Sequence, residues 1–542
     1  MLLPLGLPPG LRGNGRLIRV SPAIVKAAER GCPAQVAAKA RPGLYAERRV
    51  RRADHFLETF PLGPVQAALD ALEFPGSAVT RQAVHEQDAA LHPGLARFAA
   101  HAVRHYRPYV HGPDDPELRP VRHRWVAKRC SGSLTWEQFL WGRCYESPDG
   151  TFREFRFLSL DTAHRPEQMT AEVAIAAHTA AIGAPTPWPA PREWKRPLEP
   201  SGPPPAPGQI RRVRIVEIGL SDGSHAVLFD GDPDAAKAAY DRQARGLLTQ
   251  AVAGGPPVPG ASCADCKALA FCPEPVHVPG LLGIAAAPAP LRTLSASDLR
   301  YHDRCPTQYH LRSINLPKAY EYSAANERGQ AVHAWLERTH RAAVAPCTAM
   351  DTPRDQESWT AGGWTVTGEQ ARMGVRMRAY HADVCPFRHR ITNVQPEPTL
   401  TFFDAHANTV ILAKPDLLYS EEGSPVWRET KTRQANPVRH QDIMRRFPQL
   451  ALAVLLLHRG ALKGDRASSR VELEVLYPDR IPDLYYLDPS DPDDVEEARK
   501  VLYALVRSWH ADTTYPARPD KVICRSCPVS RWCPDAALPK EN

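Results

Sequence analysis

Along the chain, stretches with a two-residue apolar rhythm give way to stretches with a helical one, and these switches mark out the elements. Val410 to Tyr419 (Val-Ile-Leu-Ala-Lys-Pro-Asp-Leu-Leu-Tyr) predicts a strand, Ser420 to Pro425 a turn, and Val426-Trp-Arg-Glu-Thr-Lys-Thr432 a second strand. Together they make a hairpin. Gln449 then opens an apolar helix whose core, Leu450 to Leu457, is the longest uninterrupted apolar run. That run is far short of the roughly 20 residues needed to span a membrane, so no membrane partner is expected. Two further helical runs begin at Ser21 and Ser295, each serine suited to cap the helix that follows. Pro185 to Gly208 is too rich in proline for a helix or central strand and reads as a surface loop.

Length changes the picture first. At 542 residues the chain is several times one typical domain, so two or more units with their own cores are expected. Hydrophobic residues at 43% and charged residues at 24% exclude a mostly disordered or coiled-coil chain. A formal charge of +8 permits a polyanionic partner without demanding one. Met1 to Pro9 is apolar but broken by prolines and has no preceding basic stretch, so no secretory signal is expected and the localisation read is cytoplasmic. The twelve cysteines are bunched, which suits metal ligation in a reducing compartment better than a disulfide framework.

The cysteines also reveal a repeat. Cys263-Ala-Asp-Cys266 is followed after five residues by Cys272-Pro273, and Cys524-Arg-Ser-Cys527 after five residues by Cys533-Pro534. Far upstream of each triplet stands one Cys-Pro with glutamine two places on: Cys32-Pro-Ala-Gln35 and Cys305-Pro-Thr-Gln308. Gln82-Ala-Val-His85 and Gln330-Ala-Val-His333 add a third echo in the same order. An internal duplication follows, with copies at 15–284 and 291–536 joined through Ala285 to Pro290. The fold class expected is α/β: two tandem domains, each a central mixed sheet flanked by helices and clipped by a four-cysteine metal cluster. Four thiolates can close a zinc site or hold a four-iron cluster. The arrangement of one ligand plus three, set at a domain's two ends, favours iron-sulphur, one cluster per copy, with zinc as the alternative. Cys130, Cys144, Cys347 and Cys385 have no partnered spacing and read as small buried hydrophobes.

In the second copy, period-two geometry puts Glu429 and Lys431 on one face of their strand, and the hairpin brings Asp416 alongside. Carboxylate oxygens of this kind bind magnesium or manganese, which can polarise a phosphodiester and acidify an attacking water.

On these residues, with Gly329-Gln-Ala-Val-His333, the flanking cysteines and Gln449-Leu450, residues 291–536 resemble the PD-(D/E)XK nuclease superfamily, in particular its RecB-like branch with a four-cysteine iron-sulphur cluster, which includes AddB nuclease domains. The resemblance implies a DNA nuclease with Asp416 and Glu429 as ligands of Mg2+ or Mn2+, the Thr430 carbonyl and His333 as further ligands, Lys431 as catalytic and Gln449 as a positioning residue. It departs from the family pattern at Ala413-Lys-Pro-Asp416, where Gly-x-x-Asp is usual, and at Ala453, where tyrosine is frequent.

In the first copy Tyr145 aligns with Asp416, Glu154 with Glu429 and Arg156 with Lys431, Asp149 being an alternative acidic position. Tyrosine and arginine there argue against metal-dependent cleavage and leave a DNA-holding or docking module. Basic stretches at Arg48–Arg52, Arg119–Arg129, Arg211–Arg214 and Arg439–Arg446 supply candidate phosphate contacts. The chain has no Walker-type loop, so a helicase or other repair or defence subunit is the partner expected beside DNA. The competing reading is a non-catalytic, cluster-bearing scaffold.

Overall fold

Each half of the chain builds a five-stranded sheet with the same connectivity. The computed structural model describes residues 7–8, 10–47, 50, 60–75, 91–106, 117–188, 193–286, 289–319, 323–343, 345–348, 357–434 and 442–537. They divide into unit 1 (Met1–Glu274, His310–Lys318, Val529–Asn542) and unit 2 (Pro275–Tyr309, Ala319–Pro528).

Unit 1 contains β1 (Leu17–Val20), α1 (Ala23–Arg30), α2 (Pro33–Lys39), β2 (Arg119–Val121), β3 (Arg124–Ser131), β4 (Leu134–Phe139), β5 (Arg143–Glu146), β6 (Phe152–Ser159), α3 (Ala171–Ile182), β7 (Ala184–Thr186), β8 (Arg212–Gly219) and β9 (His225–Gly231). Its larger sheet runs β2-β5-β6-β8-β9, and a smaller one runs β1-β4-β3-β7. Unit 2 contains β10 (Val276–His277), β11 (Arg292–Ser295), α4 (Ala296–Arg304), α5 (Ala324–Ala342), α6 (Gly368–His381), β12 (Ile391–Pro396), β13 (Leu400–Asp404), β14 (Thr409–Ala413), β15 (Leu417–Glu421), β16 (Ser424–Thr432), α7 (Pro448–His458), β17 (Arg470–Leu476), β18 (Asp483–Leu487) and α8 (Pro492–Ala511). Its sheets run β12-β15-β16-β17-β18 and β10-β13-β14-β11.

Read across, both larger sheets pair antiparallel, antiparallel, parallel, antiparallel. A parallel pair needs a crossover, and α3 supplies it between β6 and β8 as α7 does between β16 and β17. Both crossover helices are apolar on nearly every side because both faces are covered. In α7, Leu450 through Leu457 are all buried, packed with Val471 and Leu473 of β17 and with Leu502 and Trp509 of α8. Truncating one of these leucines to alanine would cost about 2–5 kcal/mol.

The predicted hairpin forms with two differences. The first strand is broken: β14 ends at Ala413 in the smaller sheet, and β15 begins at Leu417 in the larger one. Pro415, which has no N–H to give a ladder, stands in the break and leaves Asp416 at the lip of the sheet. The turn is also tighter than predicted. Glu422 and Gly423 alone form it, both with positive φ (49° and 84°), the type I′ pattern that suits the strand twist, and Ser420 pairs with Pro425.

The division between units falls before the predicted linker. Val276 and His277 pair with Phe402 and Phe403, and the Asp404 carboxylate accepts from Gly280 N and Leu282 N at 2.8 and 2.9 Å, which ties this stretch into unit 2. At the other end Trp532 packs edge-on against Phe98 and His101 within unit 1, so Cys533 belongs to unit 1 and Cys524 and Cys527 to unit 2. Of the unpartnered cysteines, Cys144 is buried as expected, but Cys130 is exposed, because the end of β3 stands clear of the core. Among the described residues no helix is long and apolar enough to cross a membrane.

Candidate active site

Four elements of unit 2 deliver side chains to one place. Glu429 and Lys431 share a face of β16, and Asp416 enters from the start of β15, where Leu417 lies opposite Arg428. The N-terminus of α7 brings Gln449. Helix α5, capped by Ser323 Oγ accepting from Asn326 N, buries Ala331, Val332, Trp335 and Leu336, and leaves His333 half-buried on the side facing Asp416.

Asp416 Oδ1 lies 3.1 Å from His333 Nδ1, while Oδ2 accepts from Thr430 N at 2.6 Å and from Lys431 Nζ at 3.2 Å. Lys431 Nζ also donates to Glu429 Oε2 at 3.0 Å and to the Thr430 carbonyl at 2.8 Å. Glu429 is held from the other side by Trp427 Nε1 on Oε1 (3.0 Å) and by Gln449 Nε2 on Oε2 (3.3 Å). Every residue singled out for this site in the sequence is therefore within one connected network.

The two carboxylates differ electrically. Burial pushes Asp416 up, but Lys431 and His333 outweigh it and hold the group well below the usual carboxylate range. Burial dominates at Glu429, which is raised. Against the cost of burial, Asp416 raises the His333 imidazole, and Asp416 with Glu429 raises Lys431 above the ordinary lysine value. Lys431 is thus an ammonium at neutral pH. A cavity of about 450 Å³ is walled by Asp416, Glu429, Lys431 and Gln449 with Arg300, and one of about 750 Å³ by His333, Lys431, Arg328, Arg433 and Arg446. Lys431 stands in both.

One candidate was not legible in the sequence. The Glu397 carboxylate, the His333 ring nitrogen and the Asp416 carboxylate all lie within 4.8 Å of one another, a set with the hard donors a divalent cation takes. Glu397 sits between Pro396 and Pro398 with φ of 52°, its N–H donating to the Asp416 carbonyl at 3.2 Å. The only signal was an acidic residue inside a Pro-Glu-Pro turn, and nothing in the pattern joined it to the hairpin. The donor set fits a magnesium or manganese ion, since Lys431 already marks the carboxylate pair as a place where positive charge is stabilised.

The cysteines of unit 1 also come together. Cys32, Cys263, Cys266 and Cys272 are each 7–8% exposed. Burial pushes the Cys266 thiol up to about 12, and Cys263, Cys272 and Cys32 each add to that rise, as neighbouring thiols must. Val258 N donates to Cys32 Sγ at 3.3 Å. Thiols are the donors that iron-sulphur clusters and structural zinc both take. In unit 2, Cys305 Sγ accepts from Arg518 N at 3.5 Å, Cys305 and Cys524 are buried, and Cys527 is half-buried.

Residues 293–534 match the family model described as the PD-(D/E)XK nuclease superfamily. The chain carries a PD-(D/E)XK nuclease superfamily domain. No curated protein sequence matches the chain. Two solved structures are similar: that of SSO0001 (14% identity, 45% of this chain and 87% of that one, TM-score 0.23) and a "Putative exonuclease" from Eubacterium rectale (12% identity, 46% and 90%, TM-score 0.29).

Against the PD-(D/E)XK domain, the matching place in unit 1 is closed. Tyr145 lies opposite Glu154 in the β5–β6 register. Glu154 is fully buried, with Oε1 bound to Arg156 Nε and Oε2 to Arg214 Nε, both at 2.6 Å, and Tyr145 hydrogen-bonds Glu73. Guanidinium groups fill the positions a cation would take. Asp149 sits instead at the hairpin's turn, bonded to Ser147 and Thr151. Arg214 is therefore no part of an open phosphate path, and Arg212 is paired with Asp230. His85, Arg48, Arg49, Arg51, Arg52 and Arg439 lie outside the described residues.

Proposed function

We propose that unit 2 is a metal-dependent deoxyribonuclease that hydrolyses phosphodiester bonds, with Asp416, Glu429, the Thr430 carbonyl, His333 and Glu397 holding Mg2+ or Mn2+. The observation that carries this reading is Lys431 Nζ shared between Asp416 and Glu429 at 3.2 and 3.0 Å, inside a domain that matches the nuclease superfamily. When bound, the ion polarises the phosphodiester and lowers the pKa of water. The chain's own residues do the rest. The Lys431 ammonium orients the attacking water and offsets charge growing on the phosphate oxygens. Gln449 fixes the Glu429 carboxylate. Arg433 and Arg446 line the neighbouring cavity, where they contact the phosphate backbone and make binding fall with salt.

Unit 1 serves as a non-catalytic DNA-holding or docking module. The four cysteines of unit 1, Cys32, Cys263, Cys266 and Cys272, carry a four-iron cluster, zinc being the alternative occupant. The activity belongs to DNA repair, recombination or defence against foreign DNA in the cytoplasm, with a helicase or similar subunit supplying the motor that the chain lacks. Cleavage of end-labelled and circular DNA with Mg2+ or Mn2+, using anaerobically purified protein beside Lys431→Ala, tests the central claim. Loss of cleavage in the variant supports it; equal cleavage by both proteins, or none by either with and without a helicase, overturns it.

A further inference from the structure

Two cysteines with no partnered spacing in the sequence acquire partners in the fold. His340 lies in the last turn of α5, Cys347 in the segment after it, His381 at the end of α6, and Cys385 just beyond. One donor atom from each of the four lies within 4.8 Å of all the others. All are buried, at 6%, 3%, 0% and 1% exposure. His340 Nε2 stands 3.1 Å from His381 Nε2, and Cys347 N donates to Cys385 Sγ at 3.4 Å. The expectation that Cys347 and Cys385 are only small apolar fillers is thus incomplete: they are buried, but among nitrogen donors.

We propose that His340, Cys347, His381 and Cys385 form a closed structural zinc site, separate from the carboxylate site. Two thiolates and two imidazoles are the soft and borderline donors zinc selects, whereas magnesium or manganese selects oxygen. Zinc-ligand bonds of about 2.0–2.3 Å place tetrahedral donors roughly 3.3–3.8 Å apart, within the observed spread. His381 carries a second mark. Its Nδ1 lies 2.6 Å from the buried Glu474 Oε1, which fixes the proton on Nδ1 and turns the Nε2 lone pair toward His340 and the cysteines. This is the carboxylate–histidine–zinc arrangement.

The site also reaches the proposed chemistry. Glu474 Oε2 accepts from Thr430 Oγ1 at 3.1 Å, and Thr430 lies between Glu429 and Lys431. Zinc would therefore fasten the ends of α5 and α6 to the strand pair that carries the catalytic candidates, about two helical turns along α5 from His333.

The test is metal content of the full-length chain, with Cys347→Ala, Cys385→Ala and Cys347→His, the last of which keeps four donors. The alanine variants are expected to lose one zinc per chain relative to the unaltered protein, with iron unchanged, and Cys347→His to retain it. Should the alanine variants fail to fold, zinc-edge X-ray absorption on the unaltered chain decides. Imidazole scattering beside sulphur supports the site, because the other cysteine sets contain no histidine. Equal zinc in the alanine variants, an all-sulphur zinc environment, or no zinc taken up from an equimolar zinc salt would each overturn it. None of these readouts uses DNA cleavage, so the zinc site and the nuclease reading fail independently.

Discussion

Thr430 donates its backbone N–H to Asp416 Oδ2 at 2.6 Å, which locks the residue just before β15 to the C-terminal part of β16. The bond sets the spacing of the whole acidic site, because Glu429 and Lys431 flank Thr430. Asp416→Asn keeps an oxygen for this N–H but removes the charge that a divalent ion needs. Cleavage is expected to fall about 10²-fold or more, equivalent to several kcal/mol of lost charge stabilisation, with the fold retained. Single-turnover cleavage rates and circular dichroism on the same preparations check both halves.

Glu397 tests whether the tertiary contact is functional. In Glu397→Gln the side chain keeps its shape and loses its charge, so the magnesium concentration at half-maximal cleavage should rise by about 10-fold or more while the rate at saturating metal changes little. An unchanged metal requirement would place Glu397 outside the ion's ligand set and leave it as the partner of Lys414, at 2.5 Å.

In unit 1 the prediction concerns stability. Arg214→Ala removes one of the two guanidinium groups on the fully buried Glu154 and leaves that oxygen with a desolvated charge. A loss of about 3–5 kcal/mol is expected, read from urea unfolding, with no effect on the chemical step of cleavage in unit 2.

His302 gives a pH dependence. Burial lowers its pKa below 6.5 even though Asp512 sits 2.9 Å away, so the ring is neutral in the fold at neutral pH. An unfolded histidine binds its proton more readily than this one. Its contribution to stability is therefore full above pH 6.5 and declines as pH falls from 6.5 toward the lower folded value. Melting temperatures between pH 7.5 and 5 should fall less steeply for His302→Gln than for the unaltered chain; parallel curves would mean that His302 titrates alike in both states.

Much of this protein is local and therefore legible in its sequence. The β15–β16 hairpin follows from runs of apolar and β-branched residues around turn formers, and α7 follows from an unbroken apolar stretch. Asp416, Glu429 and Lys431 could be named together because strand geometry converts sequence spacing into a shared face. The two larger sheets share one connectivity. Other features depend on residues distant in the chain and leave no spacing to read. Pro415 splits a run that looks like one strand, since a missing N–H matters only where a ladder would need it. Glu397 reaches Asp416 only because β12 pairs with β15. His340, Cys347, His381 and Cys385 meet only because the ends of α5 and α6 pack side by side, and Glu474 orients His381 from a strand far downstream. Burial decides the rest: Glu154 and Glu429 look alike as sequence, but two arginines close one, and a lysine with an adjoining cavity leaves the other open to a metal.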